Sequence, residues 1–301
     1  MKVSFVTCDV FTSRPFTGNP LFVVPDAIGL TTAQMQALAR EINYSESTFV
    51  LPPSDPRHAY LQRTFVPVKE IPYAGHPTVG TAIAMASLGK IGGENGADVV
   101  PVTIEVGFGP LKLELEKKDG AVTRVRMEQG RPAWDEALTS QELLGKIASG
   151  LDVPYDALFG AMRPRVVSTG NRFLMLPLPS LEFLSKAEAD PRILSLVERE
   201  LDVLGIYLFT RTGDERIRAR AFCPGAGVPE DPATGSAAGP LGVYLAVEKA
   251  LPPSKRFRID QGIEMGRPSE IDVEVLLDGE RPEGVRVSGS AVLMMRGEIS
   301  V

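Results

Sequence analysis

The chain has 301 residues and a formal charge of −6, from 32 Lys and Arg against 38 Asp and Glu. That length is about twice the usual domain size and favours two domains over one oversized core. Hydrophobic residues at 44% and charged residues at 23% are ordinary globular proportions, which excludes a disordered, collagenous or coiled-coil chain, and an acidic balance without a Lys or Arg run argues against nucleic acid as a partner.

In chain order, Lys2 to Val10 alternates as a strand, and Leu21 to Val24 continues after a turn at Thr17-Gly18-Asn19-Pro20. Thr31 to Ile42 places Met35, Leu38, Ala39 and Ile42 on one face behind a Thr cap, which predicts an amphipathic helix. Thr48 to Leu51 and Ala59 to Phe65 are strand-like. Thr78 to Leu88 is small and apolar all round, which suits a helix buried on every side. Thr103 to Leu115 and Ala121 to Glu128 alternate, and two short helices are expected between Asp135 and Leu158. Arg163 to Leu178 reads as strand, Pro191 to Leu201 as helix, Leu204 to Phe209 and Arg216 to Phe222 as strands. A second apolar helix is expected from about Ala233 to Val247, and Ile271 to Leu276, Val285 to Val287 and Ala291 to Met295 close the chain in strands.

The chain repeats itself. Thr17-Gly18-Asn19-Pro20-Leu21 matches Thr169-Gly170-Asn171-Arg172-Phe173, Arg63-Thr64-Phe65-Val66-Pro67 matches Arg220-Ala221-Phe222-Cys223-Pro224, and His76-Pro77-Thr78-Val79-Gly80-Thr81-Ala82 matches Asp231-Pro232-Ala233-Thr234-Gly235-Ser236-Ala237. The three matches are collinear at nearly one offset, about 155 residues. Two equivalent halves facing each other across a cleft are therefore expected, with chemistry in the cleft.

In each half the repeat opens a helix with His-Pro or Asp-Pro. Proline presets a helical φ, so His76 and Asp231 are expected at N-cap positions, beside free amides and a positive dipole end that would attract a carboxylate. Asp caps helices without any active site. His is a poor cap, so His76 invites a proton-transfer role. Glu46, expected in a loop among small hydroxyl residues, is a solvated charge on the plain reading and an acid/base if its loop feeds the cleft.

Cys8 and Cys223 are too few for a disulfide framework and lie in strands, so both are read as buried structural thiols, and with His58 and His76 the only histidines, a His-rich zinc site is not expected. No Walker sequence, nucleophile elbow or full dinucleotide fingerprint is present, so no cofactor and no metal are expected. The first ten residues lack the apolar core of a secretory signal and no apolar run nears the roughly 18 residues of a membrane span. A soluble, cytoplasmic chain with no membrane partner is expected.

The blocks Asp9-Val10-Phe11, Thr17-Gly18-Asn19-Pro20, Ser45-Glu46-Ser47-Thr48-Phe49, Glu70-Ile71-Pro72-Tyr73-Ala74-Gly75-His76-Pro77-Thr78 and Glu230-Asp231-Pro232-Ala233-Thr234-Gly235-Ser236-Ala237, with Gln261-Gly262 and Gly266-Arg267-Pro268-Ser269, resemble the PhzF-like family of phenazine-biosynthesis isomerases over nearly the whole chain. The resemblance implies an α+β, diaminopimelate epimerase-like fold of two pseudo-symmetric domains, each a mixed β-sheet or barrel wrapped around a central helix. The domains are expected at 1–118, completed by strands from 285–301, and at 119–284. Where diaminopimelate epimerases carry two cysteines, this chain has His76 and Asp231, which excludes two-thiol racemisation.

The resemblance further implies a cofactor-independent isomerase acting by proton transfer on a small, carboxylate-bearing, amino-acid-like substrate. Glu46 would carry the proton, His76 help shuttle it and Asp231 hold the substrate's amine or hydroxyl, while Ser45, Gly75, Thr78, Gly235 and Ser236 surround the substrate. A homodimer is implied in the same way. The alternatives are a lyase or hydratase sharing the abstraction step, and a non-catalytic binder of small anions.

Overall fold

A computed structural model describes residues 1–73, 75–92 and 97–301, and the chain divides into two units, residues 1–128 with 288–301 and residues 129–287.

The first unit contains β1 (Lys2–Val10), β2 (Asn19–Val24), α1 (Thr32–Ile42), β3 (Glu46–Leu51), β4 (Leu61–Phe65), β5 (Glu70–Ile71), α2 (Gly75–Ser87), β6 (Val99–Val106), β7 (Gly109–Lys118) and β8 (Ala121–Glu128), and takes back the final strand, Ala291–Ser300. β1 runs antiparallel to β2 and to that final strand. Helix α1, held by a Thr31–Gln34 capping box, crosses over so that β2 and β3 pair in parallel, Leu21 opposite Glu46. β3 and β4 are antiparallel, β4 meets β6 in parallel, and β6, β7 and β8 form an antiparallel meander. The unit runs to Glu128, past the expected 118, because β8 pairs with β7 through Leu113 and Met127.

Helix α2 is buried from Gly75 to Met85 and packs on β1, β2, β3, β8 and the final strand. Its lack of a polar face is the cause: a helix with no side to offer water is stable only when surrounded. The fit is close at Gly80, where a Cβ would come within 2.6 Å of Val10 and 2.7 Å of Leu21.

The second unit has β9 (Ala133–Trp134), α3 (Gln141–Gly150), a 3₁₀ helix (Tyr155–Leu158), β10 (Arg165–Ser168), β11 (Arg172–Pro177), α4 (Leu181–Lys186), α5 (Pro191–Leu201), β12 (Gly205–Gly213), β13 (Arg216–Cys223), a second 3₁₀ helix (Pro224–Ala226), β14 (Val228–Asp231), α6 (Gly235–Val247), β15 (Arg256–Gln261), β16 (Ser269–Asp278) and β17 (Arg281–Gly289); the final strand is β18. The pairing sequence of the first unit recurs. β10 and β11 are antiparallel, β11 and β12 parallel, β12 and β13 antiparallel, β13 and β15 parallel, β15 and β16 antiparallel. α6, buried from Gly235 to Ala246, stands where α2 stands in the chain order. The repeated sequence blocks thus fall on matching elements of one shared topology.

Several elements differ from the sequence reading. The run from Thr103 to Leu115 is a hairpin, because Gly109 at φ 125 reverses the chain between β6 and β7. Arg163 to Leu178 breaks into β10 and β11 at Thr169-Gly170-Asn171, with Gly170 at φ 141. The two short helices expected between Asp135 and Leu158 are α3 and the 3₁₀ helix Tyr155–Leu158. The short elements β9, α4 and β14 carry too few residues for a period to show, while β15 alternates in burial along Arg256–Gln261 and was not among the strands expected.

Candidate active site

Parallel pairing of β2 and β3 sets the starts of the two strands side by side. Asn19 opens β2 and Glu46 opens β3, so Glu46 is a strand residue and not the loop residue expected. Ser45, just before it, donates from Oγ to Asn19 Oδ1 at 3.0 Å.

His76, second residue of α2, comes to the same place. Its Nδ1 lies 2.8 Å from Glu46 Oε2 and 3.1 Å from Asn19 Nδ2. The ring is 2% exposed, and its Nε2 is buried without a hydrogen-bond partner among the described residues. The Glu46 side chain is 15% exposed, so the carboxyl group stays within reach of a ligand while the imidazole stands behind it. A buried imidazole nitrogen left unpaired is costly unless something else is to bind there. Gly75 and Thr78 are buried in the same first turn of α2.

In the second unit Asp231 is braced differently. It is the last residue of β14, not the expected N-cap: Thr234 occupies that position and α6 begins at Gly235. The residue before a proline is held extended, so Asp231 ahead of Pro232 stays in the strand. His76, also expected as a cap, lies inside the first turn of α2, where Pro77 removes an amide that had no intrahelical partner anyway.

The Thr234 hydroxyl donates to Asp231 Oδ2 at 2.6 Å, and Gln261 Nε2 donates to the Asp231 carbonyl at 2.7 Å and to Thr234 Oγ1 at 2.9 Å. Gln261 Oε1 in turn accepts from the Tyr207 hydroxyl at 2.9 Å and the Thr234 amide at 3.2 Å. Burial, and secondarily the charge of Asp231, hold the Tyr207 phenol well above its usual range, which keeps it a neutral donor. Glu230 forms a two-pronged pair with Arg220 at 2.8 and 2.9 Å. The Gly235 carbonyl accepts from Gln129 Nε2 at 2.8 Å, and Ser236 is 7% exposed beside it.

Of the residues singled out from sequence, the structure brings Ser45, Glu46 and His76 into one hydrogen-bonded group in the first unit and sets Asp231, Gly235 and Ser236 at the start of α6 in the second. Asn19, Thr234, Gln261 and Tyr207 were not singled out as site residues; the repeat of Thr-Gly-Asn at 17–19 and 169–171 was the available signal for Asn19. His58 serves the loop at 54–58 instead, its Nδ1 2.8 Å from Glu105. Both cysteines are buried and neither is in a disulfide, and burial with the neighbouring Asp9 charge pushes the Cys8 thiol far up, away from nucleophilic use. Among the described residues no group of three His, Cys, Asp or Glu side chains is placed to hold a metal ion, and no helix is long and apolar enough to cross a membrane.

The family model described as "Phenazine biosynthesis-like protein" matches residues 8–297. The chain belongs to that family. The trans-2,3-dihydro-3-hydroxyanthranilate isomerase of Pseudomonas aeruginosa is 37% identical to it over 294 residues, 97% of this chain and 98% of the relative. A PhzF-family protein of Bacillus anthracis superposes with a TM-score of 0.86 at 27% identity, covering 100% of both chains. A hydroxyproline epimerase from Agrobacterium vitis shares the fold alone, with a TM-score of 0.69 at 10% identity, covering 99% of this chain and 91% of that one. This PhzF-family chain is therefore an enzyme of the isomerase class with a mixed α/β, epimerase-like fold.

Proposed function

We propose that this PhzF-family member is a cofactor-independent isomerase that moves a proton on a small, carboxylate-bearing, amino-acid-like substrate, with Glu46 as the group that takes up and returns the proton. The observation that carries this reading is the 2.8 Å contact between Glu46 Oε2 and His76 Nδ1, backed by a buried Nε2 that has no hydrogen-bond partner among the described residues. A carboxyl group at hydrogen-bond distance from an imidazole can pass a proton to it and be reset within a turnover. His76 shuttles that proton, and Asp231, held rigid by Thr234 and Gln261, binds the substrate's amine or hydroxyl. Ser45, Gly75, Thr78, Gly235 and Ser236 line the substrate, the helix-start amides favouring its carboxylate.

The name of the Pseudomonas aeruginosa relative makes trans-2,3-dihydro-3-hydroxyanthranilate the first substrate to try. The protein is incubated in D2O with that compound and a panel of cyclic and acyclic amino-acid-like carboxylates, and deuterium incorporation is followed by NMR. Exchange that vanishes in Glu46→Gln supports the reading, and exchange that survives removes Glu46 from the role. Loss of a β-substituent instead of rearrangement identifies a lyase or hydratase, and no exchange with any compound favours an anion binder. The enzyme acts in the cytoplasm, which suits two unbridged thiols, and as a homodimer, which light scattering of the purified chain checks.

A further inference from the structure

A cavity of about 520 Å³ opens at the C-terminal end of α6. Trp134, Val247, Leu251, Leu277 and Pro282 form its apolar wall, and Lys249, Glu280 and Arg281 are the charged groups beside it. All of these residues belong to the second unit. The volume falls within the roughly 300–1,000 Å³ of small-molecule sites, where an apolar wall with a few polar groups is the usual make-up. The cavity is separate from the candidate active site: Gly235 and Ser236 open α6 and Val247 closes it, about 18 Å further along the helix.

A short edge strand accounts for the opening. β9 pairs with β10 at two positions and ends at Trp134, whereas β18, its counterpart in the first unit, pairs with β1 at nine. The β16–β17 hairpin reverses at Gly279, φ 61, and brings Leu277 and Pro282 to the same cavity as the indole.

The charges decide what the cavity would take. Lys249 is bridged to Glu280 at 3.1 Å, and the Arg281 side chain has no hydrogen bond or ion pair among the described residues. The uncommitted charge is therefore a guanidinium, whose paired N–H donors match a carboxylate. The negative end of a helix opposes an anion where its carbonyls are bare. Here the carbonyls of Tyr244, Leu245 and Ala246 accept from the amides of Glu248, Ala250 and Lys249, Arg211 donates to the Ala250 carbonyl, and the Glu248 carboxylate is paired with Arg165 at 2.9 Å. We propose that this cavity is a second ligand site, for a small hydrophobic carboxylate whose ring or branched chain lies against Trp134 and whose carboxylate pairs with Arg281.

The proposal is independent of the role of Glu46 and is tested without turnover. Trp134 is the one tryptophan of the chain, so its fluorescence and its single indole ¹H–¹⁵N signal both report on this cavity. The full-length protein is titrated with 3-phenylpropionate and 4-methylpentanoate, and with 3-phenylpropanamide as an uncharged match. The carboxylates are expected to move both signals saturably. The amide is expected to bind about tenfold more weakly than its acid, and Arg281→Gln to weaken the carboxylates by about the same factor, the scale of a lost charge-assisted hydrogen bond. Glu280→Gln releases Lys249 and is expected to tighten carboxylate binding, a change that a misfolded variant would not produce. Glu46→Gln, in the other unit, is expected to leave these affinities as they are.

Signals that stay fixed with both carboxylates overturn the proposal. So does an amide that binds as tightly as its acid, or an affinity indifferent to Arg281→Gln. Deuterium exchange that survives Glu46→Gln defeats the proposed function alone and leaves this site standing.

Discussion

Glu198, near the end of α5, accepts a 2.7 Å hydrogen bond from the amide of Gly225 in the turn that follows β13. It is 4% exposed, and its Oε1 has no hydrogen-bond partner among the described residues. Burial pushes its pKa up to about 7, with the Gly225 amide pulling the other way. The unfolded chain ionises this group near pH 4.3, roughly the free Glu value. Between those two pH values the folded state binds the extra proton, so stability falls as pH rises, by up to about 4 kcal/mol over the window. Glu198→Gln keeps an acceptor for Gly225 and cannot ionise. Its melting temperature is expected to match wild type at pH 4.5 and exceed it at pH 8.5; two parallel pH profiles would refute the assignment.

Gly80 and Gly239 are expected to resist the smallest enlargement. A Cβ at Gly80 meets Val10 and Leu21 below normal contact distance and Cys8 Sγ at 3.2 Å, so Gly80→Ala costs about 1–3 kcal/mol by overpacking. A Cβ at Gly239 collides with the Gln129 side chain, which bonds to Thr169 and to the Gly235 carbonyl. Gly239→Ala therefore also strands buried polar groups and is the more costly of the two. Chemical denaturation followed by far-UV circular dichroism ranks them; equal stability in both variants would contradict the packing argument.

Thr234→Val removes the hydroxyl that donates to Asp231 and accepts from Gln261. The loss in stability is expected near 1–2 kcal/mol, the scale of a buried hydrogen bond, and the exchange rate is expected to drop about tenfold as Asp231 loses its fixed rotamer. Thr234→Ser restores the hydroxyl and is expected to recover the rate. If the valine variant turns over at the wild-type rate, the brace is structural only.

Breaking the Arg220–Glu230 pair exposes the opposite risk. Arg220 is 7% exposed and also donates to the carbonyls of Leu184 and Ala187. Glu230→Gln leaves that guanidinium without its counter-charge, which is expected to lower stability by about 2–4 kcal/mol. Arg220→Lys is expected to do little better, since an ammonium cannot span both carboxylate oxygens. Melting curves of the two variants test this, and a Glu230→Gln curve that overlays wild type would show the pair to be dispensable.

Much of the architecture was legible because it is local or repeated. The uniform small-residue runs that become α2 and α6 have no polar face, so burial on all sides follows from composition, and the duplicated blocks announced two units of one topology before any strand was paired. Glu46 and His76 were also legible as candidates, one as an acid among hydroxyls and the other as one of two histidines placed in a repeated block. The 103–115 hairpin was not, because alternation continues through Gly107 and Phe108 and only the left-handed Gly109 shows that the chain has turned. Nor was the strand position of Asp231, where proline reads equally well as a helix start.

The covalent order of residues by itself determined the periodicities, the repeat and therefore the doubled topology, since these depend on neighbours a few positions apart. It could not determine which atoms meet. Asn19 reaches His76 across 57 positions and Tyr207 reaches Gln261 across 54; those contacts exist because β2 lies parallel beside β3 against the first turn of α2, and β15 beside β13. Hydrogen bonds of about 3 Å are decided by such packing. Only the tertiary structure set Glu46 and Asn19 on one nitrogen of a buried histidine.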